Sequence, residues 1–137
     1  MIIVSACLAG VNCRYDGNNN RCPAVQALIK KGRAIPVCPE QLGGLPTPRA
    51  PAEIKKGIVL TNSGADVTKQ FKSGTKQALK IAKLSNCSKA ILKARSPSCG
   101  IGKIYNGNFD KTLTQGNGIF AQALIDANIS VITEEEL

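Results

Sequence analysis

Four short apolar runs, rich in β-branched residues, are spread along this chain, and the gaps between them leave room for helices. The runs are residues 2–6 (Ile-Ile-Val-Ser-Ala), 34–37 (Ala-Ile-Pro-Val), 90–93 (Ala-Ile-Leu-Lys) and 130–133 (Ser-Val-Ile-Thr). Short runs of this kind read as strands buried on both faces. Pro23 suits a helix start, and Ala24 to Lys31 carry a helical pattern that stops at Gly32. Asp66 or Thr68 is placed to cap a second helix running to about Leu84. Gly118 to Ala127 read as a third. Strands that alternate with helices predict an α/β fold. We expect one domain over residues 1–137, with a mostly parallel, Rossmann-like sheet flanked by helices. Pro36 cannot donate to a ladder, which points its strand to an edge. Ile58 to Leu60 read as one more short strand. Lys103–Tyr105 and Asn108–Asp110 flank Asn106-Gly107 and predict a small β-hairpin. Residues 38–53, rich in Gly and Pro, read as a long loop, and long loops in small domains are usually functional.

Composition narrows the chemistry. The chain has six cysteines and no histidine. That rules out zinc sites built on His, Ser-His and Cys-His catalysis, and haem held by His. No apolar run approaches the length of a bilayer span. The start lacks the basic segment of a secretion signal, so we expect a cytoplasmic protein. In that compartment thiols stay reduced, and metal binding or redox chemistry is favoured over structural disulfides. The formal charge is +9, and residues 134–136 alone hold three of the nine acids. Such a basic body suits an anionic partner such as a nucleotide, a tRNA or phosphate. Lys69, Lys72, Lys76, Lys80 and Lys83 form a stripe on the second helix, which reads as a solvated face. The aromatic residues are Tyr15, Tyr105, Phe71, Phe109 and Phe120, too few for a broad base-stacking platform.

Set on this map, Cys7 follows the first strand, Cys38 follows the second, and Cys99 lies just beyond the strand at 90–93. Ligands of parallel sheets bind outside the carboxyl ends of the strands. Topology therefore brings three thiols, distant in sequence, to one edge. Soft sulfur ligands select zinc, copper(I) or an iron–sulfur cluster. No Cys-x-x-Cys pair of the kind common in structural zinc sites is present. A cluster held by three cysteines would leave one iron open. Cys87 and Cys22 read as packing residues, and Cys13 as a fourth thiol or a redox partner.

The segments 4–17 (Val-Ser-Ala-Cys-Leu-Ala-Gly-Val-Asn-Cys-Arg-Tyr-Asp-Gly), 37–53 (beginning Val-Cys-Pro-Glu), 64–68 (Gly-Ala-Asp-Val-Thr) and 92–100 (Leu-Lys-Ala-Arg-Ser-Pro-Ser-Cys-Gly) resemble the small bacterial thiouracil desulfurases. The resemblance spans essentially the whole chain. It implies a 4Fe–4S cluster on Cys7, Cys38 and Cys99, and non-redox removal of sulfur from a thiouracil- or thiouridine-type pyrimidine. It implies a base near the attacking water, for which Glu40 is the candidate, with Ser96 preferred over Ser98 as its partner. Asp16, Arg49 and Ser98 are the candidate substrate contacts; Arg49 would meet a phosphate if the substrate is a nucleotide. Tyr15 is placed to contact a base, and Gly43 and Gly44 to let backbone approach a ligand. More local roles compete. Glu40 could pair with Arg49 or Arg14, and both serines could cap the turn at Pro97. The free base, a nucleotide and tRNA all stay open as partners. Two alternatives stand beside the enzyme: a non-enzymatic metal- or RNA-binding protein using a basic face, and a thiol-redox protein pairing Cys7 with Cys13 or Cys38.

Overall fold

The computed structural model describes residues 1–137. Strand β1 (Ile2–Ser5) lies between β2 (Ala34–Val37) and β5 (Lys89–Leu92), and β8 (Ser130–Thr133) closes the far edge. All three pairings are parallel. Period-two alternation divides the core into two layers. Ile3, Ala90 and Leu92 face helices α3 (Thr68–Leu84) and α4 (Ile119–Asp126), where they meet Ala78, Ala82, Phe120 and Leu124. Val4, Ile91 and Ala34 face the opposite side and pack on Val25 of helix α1 (Pro23–Lys30). Both Ile3 and Val4 are fully buried, as a central parallel strand requires. Pro36 falls on β2, an edge strand, as expected.

Helix α3 buries Phe71, Gly74, Thr75, Ala78 and Ala82, and its five lysines face solvent. Val67 is the N-cap residue, and Asp66, just before it, accepts the N–H of Thr68 on its Oδ1 at 2.9 Å. The Thr68 hydroxyl instead accepts the N–H of Val59 at 2.8 Å.

Three sequence expectations are corrected. The long loop contains a one-turn helix, α2 (Pro39–Leu42), with proline at its first position. It ends in strand β3 (Ala52–Lys55), which pairs antiparallel with β4 (Ile58–Thr61). Lys56 and Gly57 join them with positive φ of 51° and 77°, the geometry of a tight type I′ turn. The second correction concerns the predicted hairpin. Strand β6 (Lys103–Tyr105) pairs with β7 (Leu113–Gln115), so Asn108–Asp110 belong to the connecting loop. The cause is long-range: Glu53 Oε1 accepts the N–H groups of Gly107 at 3.0 Å and Phe109 at 3.1 Å. The loop is thereby tied to β3 and does not fold back at Asn106-Gly107. Third, Gly43 serves helix packing, not a ligand. A methyl at Gly43 would overlap the Gln70 carbonyl oxygen, and one at Gly74 would overlap that of Pro39. The two glycines let α2 lie directly on α3. No helix is long and apolar enough to cross a membrane.

Candidate active site

The chain leaves β1 for β2 on one side and returns to place β5 on the other. Such a reversal opens a crevice at the carboxyl ends of the strands. Cys7 sits in the 3-10 turn directly after β1, Cys38 is the residue before α2, and Cys99 lies in the turn after β5. All three line one cavity of about 530 Å³. Cys13 lines it as well, buried to 2% exposure. All six cysteines are free thiols. Cys87 is buried in the core beside Ala78 and Ala82, and Cys22 packs near α1; neither lines the cavity.

The thiols are electrostatically unlike. Hydrogen bonding from Cys13 lowers Cys7, against the opposing effect of burial. The same donor, helped by the Gln41 backbone N–H, brings Cys38 down to about 7. The neighbouring Cys38 and Cys7 sulfurs, together with burial, raise Cys13. Burial pushes Cys99 up to about 12. Its sulfur has Ser98 Oγ at 3.6 Å.

Next to the sulfurs stands a carboxylate held from two sides. Glu40 Oε1 accepts from Arg49 Nε at 3.1 Å, and Oε2 accepts from Ser98 Oγ at 2.8 Å. Both members of the ion pair are largely buried, with side chains 7% (Arg49) and 15% (Glu40) exposed. The remaining Arg49 nitrogens bond Pro46 O, Thr47 Oγ1 and Cys13 O. Arg49, expected at the substrate, is thus occupied by protein partners. Ser96 and Ser98 exchange places relative to expectation. Ser98 carries the contact to Glu40, while Ser96 Oγ accepts the N–H groups of Ser98 and Cys99 at 3.2 and 3.1 Å. With the Ser98 proton given to Glu40, Ser96 becomes the donor in the 3.0 Å Ser96–Ser98 bond. The hydroxyls then form a chain that ends on the carboxylate.

Asp16 was the third candidate substrate contact. It does not line the cavity; its carboxylate accepts the N–H of Asn18 at 3.0 Å and pairs with Arg14 at 3.2 Å. The Asn18 N–H is also the main reason its carboxyl group lies below the usual range. Tyr15 does line the cavity. Several lining residues escaped the sequence reading. Tyr105, Phe109 and Lys111 reach it from the β6–β7 hairpin and its loop. Their only signal would have been the long-range bonds of Glu53. Lys93 and Arg95 were readable in principle, since they follow β5 directly. Both are paired, with Glu134 at 3.1 Å and Glu135 at 2.9 Å. The acidic cluster at the end of the sheet is therefore a clasp on the Cys99 turn.

The donor set fits an iron–sulfur cluster. Three thiols from three separate loops face shared space. No three Cys, Asp or Glu side chains close around one point as a single ion demands, with metal–sulfur distances near ~2.3 Å in zinc sites. Thiols that grip different irons of one cluster stand farther apart.

Comparison with known proteins agrees. The family model described as 2-thiouracil desulfurase matches residues 2–136. An uncharacterized protein of Bacillus subtilis (strain 168), YbbK, is 43% identical over 147 residues, spanning 100% of this chain and 97% of that one. A solved structure titled [4Fe-4S]-dependent thiouracil desulfidase TudS superposes with a TM-score of 0.94 at 45% identity, over 99% of this chain and 91% of the other. Thiols converging on one crevice, the carboxylate beside them and a family match over nearly every residue lead to one assignment: the chain belongs to the 2-thiouracil desulfurase family.

Proposed function

We propose that this protein is a 4Fe–4S-dependent desulfurase that hydrolyses the thiocarbonyl of a thiolated pyrimidine, with Cys7, Cys38 and Cys99 as the cluster ligands. The observation that carries the reading is the opening of these three thiols and the Glu40–Ser98 pair into one cavity. Overall, C=S and water become C=O and hydrogen sulfide, and no atom changes oxidation state. When bound, the cluster supplies a thiophilic Lewis acid at the iron that no cysteine holds.

The chain's own residues do the rest. Glu40 is the general base that takes a proton from the attacking water. Arg49 is a positioning residue. It fixes one carboxylate oxygen and ties it, through the Cys13 carbonyl at 2.8 Å, to the loop that follows Cys7. Ser98 lies 2.8 Å from Glu40 and lines the same cavity, and so relays the proton the carboxylate has taken toward the substrate. Ser96 orients Ser98 and closes the turn.

The cavity has the size of an ordinary small-molecule pocket. A cluster on the three thiols and a substrate would share this space. Tyr15, Tyr105 and Phe109 offer apolar walls, and Lys111 enters no ion pair. A thiolated uridine nucleotide, its phosphate toward Lys111, is the finer substrate reading. The test is anaerobic reconstitution followed by incubation with thiouracil, its nucleotide and thiolated tRNA. A brown protein should release sulfide and form uracil whose new oxygen derives from labelled water. Ser variants of Cys7, Cys38 or Cys99 should lose the cluster, whereas Cys22→Ser and Cys87→Ser should keep it. A colourless, inactive product would overturn the reading.

A further inference from the structure

We propose that Asn20 is a specificity-determining residue: a side-chain amide locked as a donor, which accepts the ring carbonyl of a thiouracil and turns away the exocyclic amine of a thiocytosine. This rests on the reading that the cavity takes a thiolated pyrimidine.

Asn20 lines the cavity and is the only side-chain amide that does. Its backbone N–H donates to the Cys7 carbonyl at 2.9 Å, which seats it beside the first thiol. An asparagine has an acceptor end and a donor end, and a free amide turns over to suit either partner. This one is held. Arg14 Nη1 donates to Asn20 Oδ1 at 2.6 Å, and a guanidinium has no acceptor for the amide turned the other way. Arg14 is fixed in its turn, with Nη2 3.2 Å from Asp16 Oδ2 and its guanidinium carbon 5.7 Å from the centre of the Tyr15 ring. The NH2 end of Asn20 finds no oxygen acceptor in the chain, so it is the end left for a ligand.

The other polar groups on the wall do not read this difference. Lys93 and Arg95 are paired with Glu134 and Glu135. The hydroxyls of Tyr15 and Tyr105 rotate, and so donate or accept as the ligand requires. Lys111 is exposed on a long, flexible stem. Asn20 alone combines a fixed place with a fixed polarity. Uracil carries a carbonyl where cytosine carries an amine. The carbonyl accepts from the locked NH2, whereas the amine sets donor against donor and leaves both without a partner in a site closed to bulk water.

The test uses the anaerobically reconstituted enzyme with 2-thiouracil and 2-thiocytosine, as free bases and as nucleotides. Both lose sulfur by the same balance, C=S and water giving C=O and hydrogen sulfide, and they differ on the far side of the ring. Wild type should favour the thiouracil in kcat/KM by about 10–100-fold, the worth of one unpaired buried polar group. Calorimetry should show the same order for the products, uracil binding more tightly than cytosine. Asn20→Asp keeps the acceptor for Arg14 and replaces the donor by a second acceptor, so both preferences should reverse. Arg14→Met leaves the amide free to turn, so both should shrink toward equality; this variant decides the matter if Asn20→Asp takes up no cluster. Wild type without a preference, a preference unchanged in Arg14→Met, or an Asn20→Asp enzyme that loses both bases equally would overturn the proposal. A wild-type protein that binds uracil over cytosine but releases no sulfide would sink the desulfurase reading and leave the role of Asn20 standing.

Discussion

Glu40 stands between a guanidinium and a hydroxyl, and that setting decides what a substitution there does. Glutamine keeps the shape and can still accept from Arg49 on its one oxygen, with its NH2 turned to Ser98 as a donor, but it cannot take a proton. Glu40→Gln should therefore lower kcat by about 10²–10⁴-fold, the usual worth of a general base, with iron and sulfide content unchanged. Steady-state kinetics and iron analysis on the same preparation check this; undiminished turnover would remove Glu40 from the mechanism. Removing Arg49 acts differently. It strands a charge that is only 15% exposed, and breaking a buried pair costs about 3–5 kcal/mol. Position relative to a strand end made Cys7, Cys38 and Cys99 legible in the sequence, whereas Glu40 came into view only through the family resemblance. The roles of Ser96 and Ser98 were not legible, because they depend on which hydroxyl the turn at Pro97 aims inward. Asp16 is drawn off the cavity wall for a related reason. Its short side chain closes on Asn18, two residues ahead, and that local bond curls it out of the cavity.

At the level of elements, the contact of α2 with α3 positions both Cys38 and Glu40. In an ordinary helix, replacing glycine by alanine gains about 1 kcal/mol. At Gly74 the sign reverses, because the methyl would strike the Pro39 carbonyl, and overpacking costs about 1–3 kcal/mol. Gly74→Ala should lower stability in a denaturant titration and reduce cluster content together. The exposed neighbour Ser73→Ala should do neither. The N-terminus of α3 makes a pH prediction. Hydrogen bonding by Thr68 lowers the Asp66 carboxyl from 3.8. The folded state then holds its proton less tightly than the unfolded one, so the stabilisation is complete above about pH 3.9, the free Asp value. It disappears as the pH falls through the lower, folded-state value. The gap in Tm between wild type and Asp66→Ala should be present at pH 7 and close in strong acid; a constant gap would contradict a stabilising Asp66–Thr68 bond. Strands and long helices were readable here because their periodicity is local. Helix α2 and strand β7 were not, since one depends on a glycine contact with α3 and the other on Glu53.

Over the whole molecule, the parallel sheet supplies the sulfurs and the two hairpins supply the opposite wall. The sheet side is stiffened by the clasp of Glu134 and Glu135 on Lys93 and Arg95, reinforced by the Ala94 N–H to Glu134 bond at 2.7 Å. The hairpin side has ties of its own. Glu53 holds two amides of the loop that carries Phe109 and Lys111, and Lys55 adds a bond to Asn108 at 2.7 Å. None of these residues touches the sulfur–carboxylate centre, so their work is to shape the space the substrate enters. Glu53→Ala frees that wall without disturbing Glu40 or the thiols. The expected result is a KM raised about tenfold, equivalent to ~1.4 kcal/mol of lost binding, with kcat close to wild type. The amides of Gly107 and Phe109 should lose hydrogen-exchange protection in the same variant, which ties the kinetic change to the loop. A fall in kcat with KM unchanged, or protection that survives the substitution, would assign the substrate wall to other residues.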